Sequence, residues 1–257
     1  MDFHPGKISL PNHFTADPRT AGSVALLLQV ALPCLLFSSS SAPSTLSLRG
    51  GTNATQAPQI DYTQHVLLPF LRQHFGLGVQ INVQKRGYFP KGGGIVSCSV
   101  DPHPGVLPPV QLTHRGDVLA IHGEAHVAGL PAHIARTMRA AATAQLVAAG
   151  VKPEIIDIAA IRESSDRATG SGSAVTLFAK TEGGCILGGS AVGKKGLDPA
   201  DVGEAAANEL LRNFEHGGCV DEYLQVFPQP ILCCVFGHGI SGPNHHFSRT
   251  CWWQVNR

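Results

Sequence analysis

Charge is scarce in this chain. Asp, Glu, Lys and Arg make up 14% of the 257 residues, against about 25% in ordinary globular proteins, so little charge is left to cover a normal surface. What there is nearly cancels: 19 Lys and Arg face 18 Asp and Glu, a formal net charge of +1. That balance excludes a broadly basic coat for nucleic acid and leaves room only for a local basic groove. Long apolar runs are missing too. The longest, Val24 to Phe37, is fourteen residues and contains Gln29 and Pro33. A membrane-spanning helix needs about 20, so this run reads as a buried helix and no membrane span is expected. The opening MDFHPGKISL has no charged leader ahead of an apolar block, so no signal peptide is read there. Gly 29 and Pro 18 together make about 18% of the chain, below the roughly 25–30% of low-complexity chains. With 43% hydrophobic residues a packed core is expected, in one large domain or two ordinary ones.

The standard catalytic and metal spacings are absent as well. GxSxG, HExxH and GxGxxG do not occur, and Gly193-Lys194-Lys195-Gly196 lacks the P-loop spacing and reads as a solvated turn. Seven cysteines, an odd number, are scattered at Cys34, Cys98, Cys185, Cys219, Cys233, Cys234 and Cys251. Several sit in apolar patterns, where a free thiol behaves as a small hydrophobe. A reduced, intracellular chain follows. Cys233, Cys234, His238, His245, His246 and Cys251 offer soft ligands without zinc-site spacing, so no metal ligand is assigned. His122 and His126 lie on a segment that reads as strand then loop, so they share no helix face.

Helices and strands alternate, with hairpins, which sets the class as α/β or α+β. A short opening strand is expected to end near Leu10, and an apolar helix to fill 21–37. TLSLR at 45–49 alternates as a strand and runs into Gly50-Gly51. Residues 60–75 place Val66, Leu67, Phe70, Leu71 and Phe75 at helical spacing, with Pro69 expected to kink or tighten the helix. VQINVQKRGYF and GIVSCSV form a hairpin. The proline cluster DPHPGVLPP at 101–109 marks the best boundary. Beyond it come a strand near 117–122, a helix over 130–149, a strand near 154–161, a polar loop at 163–172, a hairpin of 173–180 with 184–191, and a helix over 198–216. The last thirty residues hold no sustained period.

Two glycine-rich motifs stand out. Arg49-Gly50-Gly51-Thr52-Asn53-Ala54 leads into Ala57-Pro58-Gln59-Ile60-Asp61-Tyr62. Its glycines admit a ligand or a positive φ, and Asp61 would suit the positive end of the next helix. An ordinary strand-to-helix turn explains the same spacing. Lys85-Arg86-Gly87-Tyr88-Phe89-Pro90-Lys91-Gly92-Gly93-Gly94 sets cations beside an aromatic and a glycine nest, fit to hold phosphate and stack a base. A solvated hairpin tip is the alternative.

Read in order, RGGTNATQAPQIDYTQHVLLPFLRQHFG, KRGYFPKGGG, GSAVGKKG and HGGCVDEYLQ resemble the RNA 3′-terminal phosphate cyclase family over roughly residues 3–225. RGGTNA with APQIDY resembles its catalytic branch. The resemblance implies ATP and a divalent metal, Mg or Mn, as cofactors and RNA 3′-ends as partner. The reaction it implies turns a 3′-phosphate into a 2′,3′-cyclic phosphodiester through a histidine–AMP intermediate. It also implies repeated sheet-plus-two-helix units interrupted by a smaller inserted α/β domain. That arrangement would divide the chain into a partial catalytic domain at 1–105, the insert at 106–216, a return at 217–225 and a divergent tail at 226–257.

By position, Gln29, Pro58 and Tyr223 match ATP contacts, and Arg49, Arg86 and Lys91 are the expected phosphate or RNA ligands. Three departures are expected to matter. The family's glycine-rich EGGGQ-type opening and its arginine pair are not found. Val226 and Phe227 stand where the family has an Asp-Gln pair. No histidine occupies the threonine-rich context of the family's nucleophile, so no catalytic residue is assigned. The expectation is a partial chain with a replaced tail, inactive as written, in the nucleus by resemblance. A non-catalytic cyclase-like protein of RNA processing or ribosome assembly, or a non-functional truncated product, are the alternatives.

Overall fold

Alternation builds the first sheet. In β2 (Ser44–Gly50) residues 44, 46, 48 and 50 are buried while 45 and 49 are exposed, the period of two that lays one face on a core. β4 (Gly94–Val100) does the same with Val96, Cys98 and Val100. With β1 (His13–Ala16), β3 (Val79–Gly87) and the two-residue β7 (Ala168–Thr169) they form a five-stranded mixed sheet in the order β1-β2-β4-β3-β7. β4 runs antiparallel to both neighbours; the outer pairings of β1 and β7 are parallel. The computed structural model describes residues 8–38, 40–103, 105 and 107–226. The divergent tail beyond Val226, with His245 and His246, lies outside the described residues, as does most of the expected opening strand. Residues 8–10 carry no strand, and the first one begins after Pro11, at His13.

α1 (Val24–Leu36) starts at Ser23, whose hydroxyl accepts from Leu26 N–H, an N-cap. Leu28, Leu32 and Leu36 from α1 join Leu46, Leu48, Val96, Val100, Phe70 and Leu71 in the core over this sheet. Each such side chain contributes about 1.5–3 kcal/mol by leaving water. The predicted helix over 60–75 divides into α2 (Ile60–Tyr62), a π-helical turn Thr63–Leu67 and α3 (Leu68–Phe75). Pro69 has no N–H for a regular helical bond, and the wider turn immediately before it absorbs that loss.

A second sheet takes the order β6-β5-β8-β9, built from β5 (Val118–Ala128), β6 (Ile156–Glu163), β8 (Gly172–Thr181) and β9 (Ile186–Val192). β5, α4 (Ala132–Ala148) and β6 make a parallel crossover, and β8 with β9 is an antiparallel hairpin. α5 (Pro199–Glu215) begins behind Asp198, whose carboxylate accepts from Ala200 N–H. Ile121, Ala125, Val127, Val175, Leu177 and Ala179 face α4 and α5 in one core. The alternate residues face the first half of the molecule: His126 meets Tyr88, Phe178 meets His65, and Tyr62 lies on the backbone of Gly188. This second covered face is why β5 runs on to Ala128, past the expected end near 122. His122 and His126 therefore share one strand. No helix among the described residues is long and apolar enough to cross a membrane.

Candidate functional site

The two glycine-rich motifs close on each other. Thr52 N–H donates to Gly87 O (2.9 Å), Gly87 N–H donates to the Thr52 hydroxyl (3.1 Å), and that hydroxyl donates to Asn53 Oδ1 (2.7 Å). The glycines make this approach possible. A Cβ on Gly87 would collide with Gly94 N and Gly50 O, and one on Gly92 would press on Ala21 and Thr20. The room that glycine leaves at these positions is filled by the chain's own backbone.

The cations of the second motif go separate ways. Arg86, expected to hold phosphate, is buried. Its Nη1 and Nη2 donate to Asp61 Oδ2 and Oδ1, both at 2.8 Å, and its Nε donates to Glu163 at 2.6 Å. A guanidinium bound bidentate to one carboxylate and capped by another has its charge balanced inside the protein, so the structure places Arg86 as an internal cation tying Asp61 to Glu163. Lys91 at the hairpin tip and Arg49 on β2 are exposed. Asp61 does begin α2, but its carboxylate faces Arg86 and the Asn53 amide (3.1 Å). Burial alone would raise the Asp61 carboxyl; Arg86 beside it holds it well below the usual carboxylate range. His126 is fully buried next to this pair, and burial, then Arg86, hold its pKa down to about 3. It is neutral, and neither ring nitrogen has a hydrogen-bond partner among the described residues.

Gln59 connects this closed cluster to an open one. Its Oε1 accepts from Asn53 Nδ2 at 2.7 Å and its Nε2 donates to Val175 O at 3.4 Å, and the residue is also one of those around a cavity of about 160 Å³. Ala57 joins it from the same loop, Ser190 from β9, Lys194 from the segment after β9, Glu209 from α5, and Tyr223 from α6 (Glu222–Val226). Asp221 assembles this corner. One of its oxygens accepts from Tyr62 Oη (2.6 Å) and from the N–H groups of Tyr223 and Leu224 (3.1 and 2.9 Å), and the other from Gly188 N–H (2.8 Å). It therefore caps α6 and ties it to α2 and β9 at once. Tyr62 packs edge-on against Tyr223, with ring centroids 5.3 Å apart. Glu209 Oε1 accepts from Ser190 N–H (3.1 Å). Burial pushes the Glu209 carboxyl up to about 7; Glu222 and Asp221 add to the rise, while Ser190 and Arg212 oppose it.

Of the three expected ATP positions, Tyr223 lines this pocket. Pro58 is buried between two lining residues, Ala57 and Gln59. Gln29 is half-buried on α1, outside the lining. Lys194, read from sequence as part of a solvated turn, is exposed just before such a turn and also stands at the edge of this pocket. Gln59, Ser190 and Glu209 were not singled out. Glu209 had no local signal: it is one acidic residue of an amphipathic helix. Among the described residues no three His, Cys, Asp or Glu side chains converge on a metal-sized point, so these residues supply no metal cage of their own.

A family model described as RNA 3′-terminal phosphate cyclase matches residues 1–256. This chain belongs to the RNA 3′-terminal phosphate cyclase family. Its mixed α/β build of two sheets with covering helices agrees with that fold. The RNA 3′-terminal phosphate cyclase of Staphylothermus marinus is 36% identical over 233 residues, covering 90% of this chain and 64% of the relative. That of Thermococcus onnurineus is 36% identical over 254 residues, 98% of this chain and 71% of the relative. A probable RNA 3′-terminal phosphate cyclase of Dictyostelium discoideum is 35% identical over 216 residues, 82% of this chain and 48% of the relative. The chain thus spans between about half and about seven-tenths of the length of these curated cyclases.

Proposed function

We propose that this chain supplies the nucleotide-binding wall of an ATP-dependent RNA 3′-phosphate cyclase. The observation that carries the reading is the convergence of Gln59, Lys194, Glu209 and Tyr223 on one pocket from four separate segments. Tyr223 offers a ring for a base, Lys194 a cation for phosphate, and Ser190 a hydroxyl for orientation. ATP, when bound, would supply the adenylyl group that turns a phosphate oxygen into a good leaving group. The chain's own part is to hold the nucleotide in one orientation, so that the entropy of alignment is lost on binding and not during reaction. Gln29 and Pro58 belong to this reading as ATP contacts by family position. Arg49 and Lys91, both exposed, are its cations for RNA phosphate. A divalent ion, Mg or Mn, would arrive with the nucleotide phosphates. The insert at 106–216, set within 1–105 and 217–225, and a nuclear place of action are parts of the same proposal. The described cysteines Cys34, Cys98, Cys185 and Cys219, all free thiols, suit an intracellular setting.

A second reading rests on a specific feature. None of the thirteen histidines of this chain sits in the threonine-rich context of the family's nucleophile. In this reading the chain binds nucleotide or RNA as a non-catalytic cyclase-like partner. Both readings meet in one experiment: incubation with ATP labelled at the α-phosphate, with equilibrium binding measured first and acid-labile label sought on the denatured protein. Reversible ATP binding that Tyr223→Ala weakens, with no covalent label, is the expected result. Label on His245 or His246 would overturn the non-charging part. Failure of the folded chain to bind ATP would overturn the nucleotide pocket.

A further inference from the structure

We propose that Glu209 reads the base of the bound nucleotide, its carboxyl meeting the amino group and adjacent ring nitrogen of an adenine; this rests on the nucleotide reading above. The geometry is that of a half-used side chain. Oε1 of Glu209 accepts from the backbone of β9 at Ser190, while Oε2 has no hydrogen-bond partner among the described residues, and the carboxyl lines the pocket with Tyr223 and Gln59. A carboxyl held this way is oriented: Oε2 is open to carry the O–H that a ring nitrogen would accept, and Oε1 keeps a second lone pair beside the Ser190 bond for an amino group.

The choice of base follows from donor and acceptor chemistry. The pairing edge of adenine shows an amino donor beside a bare ring-nitrogen acceptor. Guanine shows two donors beside a carbonyl. An ionised carboxylate only accepts, whereas a neutral carboxyl carries one O–H donor and keeps acceptor capacity. The neutral form therefore complements adenine, and the ionised form complements guanine.

The surroundings of Glu209 favour the neutral form near neutral pH. From α6 it faces Glu222 and Tyr223, from the turn before α6 Asp221, from α2 Tyr62, whose hydroxyl is already bonded to Asp221, and from its own helix Arg212. Arg212 reaches Glu222 instead, at 3.9 Å. Lys194 shares the pocket, and neither cation forms an ion pair with Glu209 among the described residues. With burial first and two carboxylates nearby, the group titrates at about 7.

The test is the ratio of ATP to GTP affinity for the full chain, measured by calorimetry between pH 6 and pH 8. The phosphates of the two nucleotides titrate alike, so their contribution cancels in the ratio. A site that must carry a proton and titrates near 7 is about nine-tenths loaded at the lower pH and about one-tenth at the higher, so the ratio should fall about tenfold or more. Glu209→Gln, whose amide keeps one acceptor and one donor, should hold the ratio at its low-pH value throughout. A flat wild-type ratio with ATP still bound overturns the assignment of Glu209, as does a Glu209→Gln variant that declines like the wild type. Absence of ATP binding at both pH values by folded protein overturns the nucleotide reading itself.

Discussion

Asp61 and Glu209 are carboxylates at the same junction between the two sheets, and they sit in opposite states. Asp61 is gripped by both terminal nitrogens of Arg86 and by Asn53, and its pKa is held down. Glu209 receives one backbone N–H, lies near two other carboxylates, and its pKa is pushed up. Burial acts the same way on both, against the charged form. The partner decides the outcome: a bidentate cation makes one carboxylate a sealed strut, and its lack leaves the other able to take a proton or a ligand. A polar cluster that is saturated holds the fold, and one that is half-satisfied is where chemistry has room.

The contrast is broken most severely at Arg86. Arg86→Met would leave Asp61 buried without its cation, a loss of about 3–5 kcal/mol, read as a shift in the denaturant midpoint at unchanged slope. A loss under about 1 kcal/mol would show that the pair is not a strut at all. On the open side, Tyr223→Ala should weaken ATP binding by about 1–3 kcal/mol, the worth of one base-stacking ring. Tyr223→Phe, which keeps the ring, should retain most of the affinity, and equal losses in the two variants would rule out stacking.

The two carboxylates should also leave opposite marks on stability against pH. Asp61 titrates lower folded than its ordinary 3.8, so its contribution is present above that value and disappears as pH falls through the folded one. Glu209 titrates higher folded, about 7 against an ordinary 4.5. Its contribution is therefore full below about 4.5 and is lost as pH rises through 7. Denaturation midpoints followed from pH 4.5 to 8 should decline more for the wild type than for Glu209→Gln, and the two curves should become parallel as pH approaches 8. Identical curves would erase the contrast. The smallest effect belongs to the exposed cations. Arg49→Ala combined with Lys91→Ala should flatten the salt dependence of RNA binding by up to about two charges. Stability should stay within about 0.5 kcal/mol of the wild type. An unchanged salt slope would return the hairpin tip to a solvated turn.

Much of the fold was legible. β2, the β3–β4 hairpin and α5 follow directly from alternation, glycine turns and the Asp198-Pro199 start, because each buries one face and exposes the other. β5 was under-read at its far end. Its alternate residues His122, Glu124 and His126 face the other half of the molecule and His126 is fully buried there, which blurs the contrast between faces that sequence reading relies on. The site was legible in part. APQ and DEYL meet at one cavity, because a family resemblance carries tertiary information that spacing does not. Arg86, expected as a phosphate ligand, is instead found bonded to two carboxylates. Its two neutralising carboxylates lie 25 and 77 residues away along the chain, and no local pattern announces them.

By itself the sequence determined the order of helices and strands, the need for glycine where backbones touch, and the family. These follow from side-chain size, φ preference and periodicity, which act between near neighbours in the chain. Only the tertiary structure decided which carboxylate would be sealed and which left open. Desolvation and Coulomb attraction depend on burial and on distance in space, and those are set when the two sheets close on each other around Tyr62, Arg86 and Asp221.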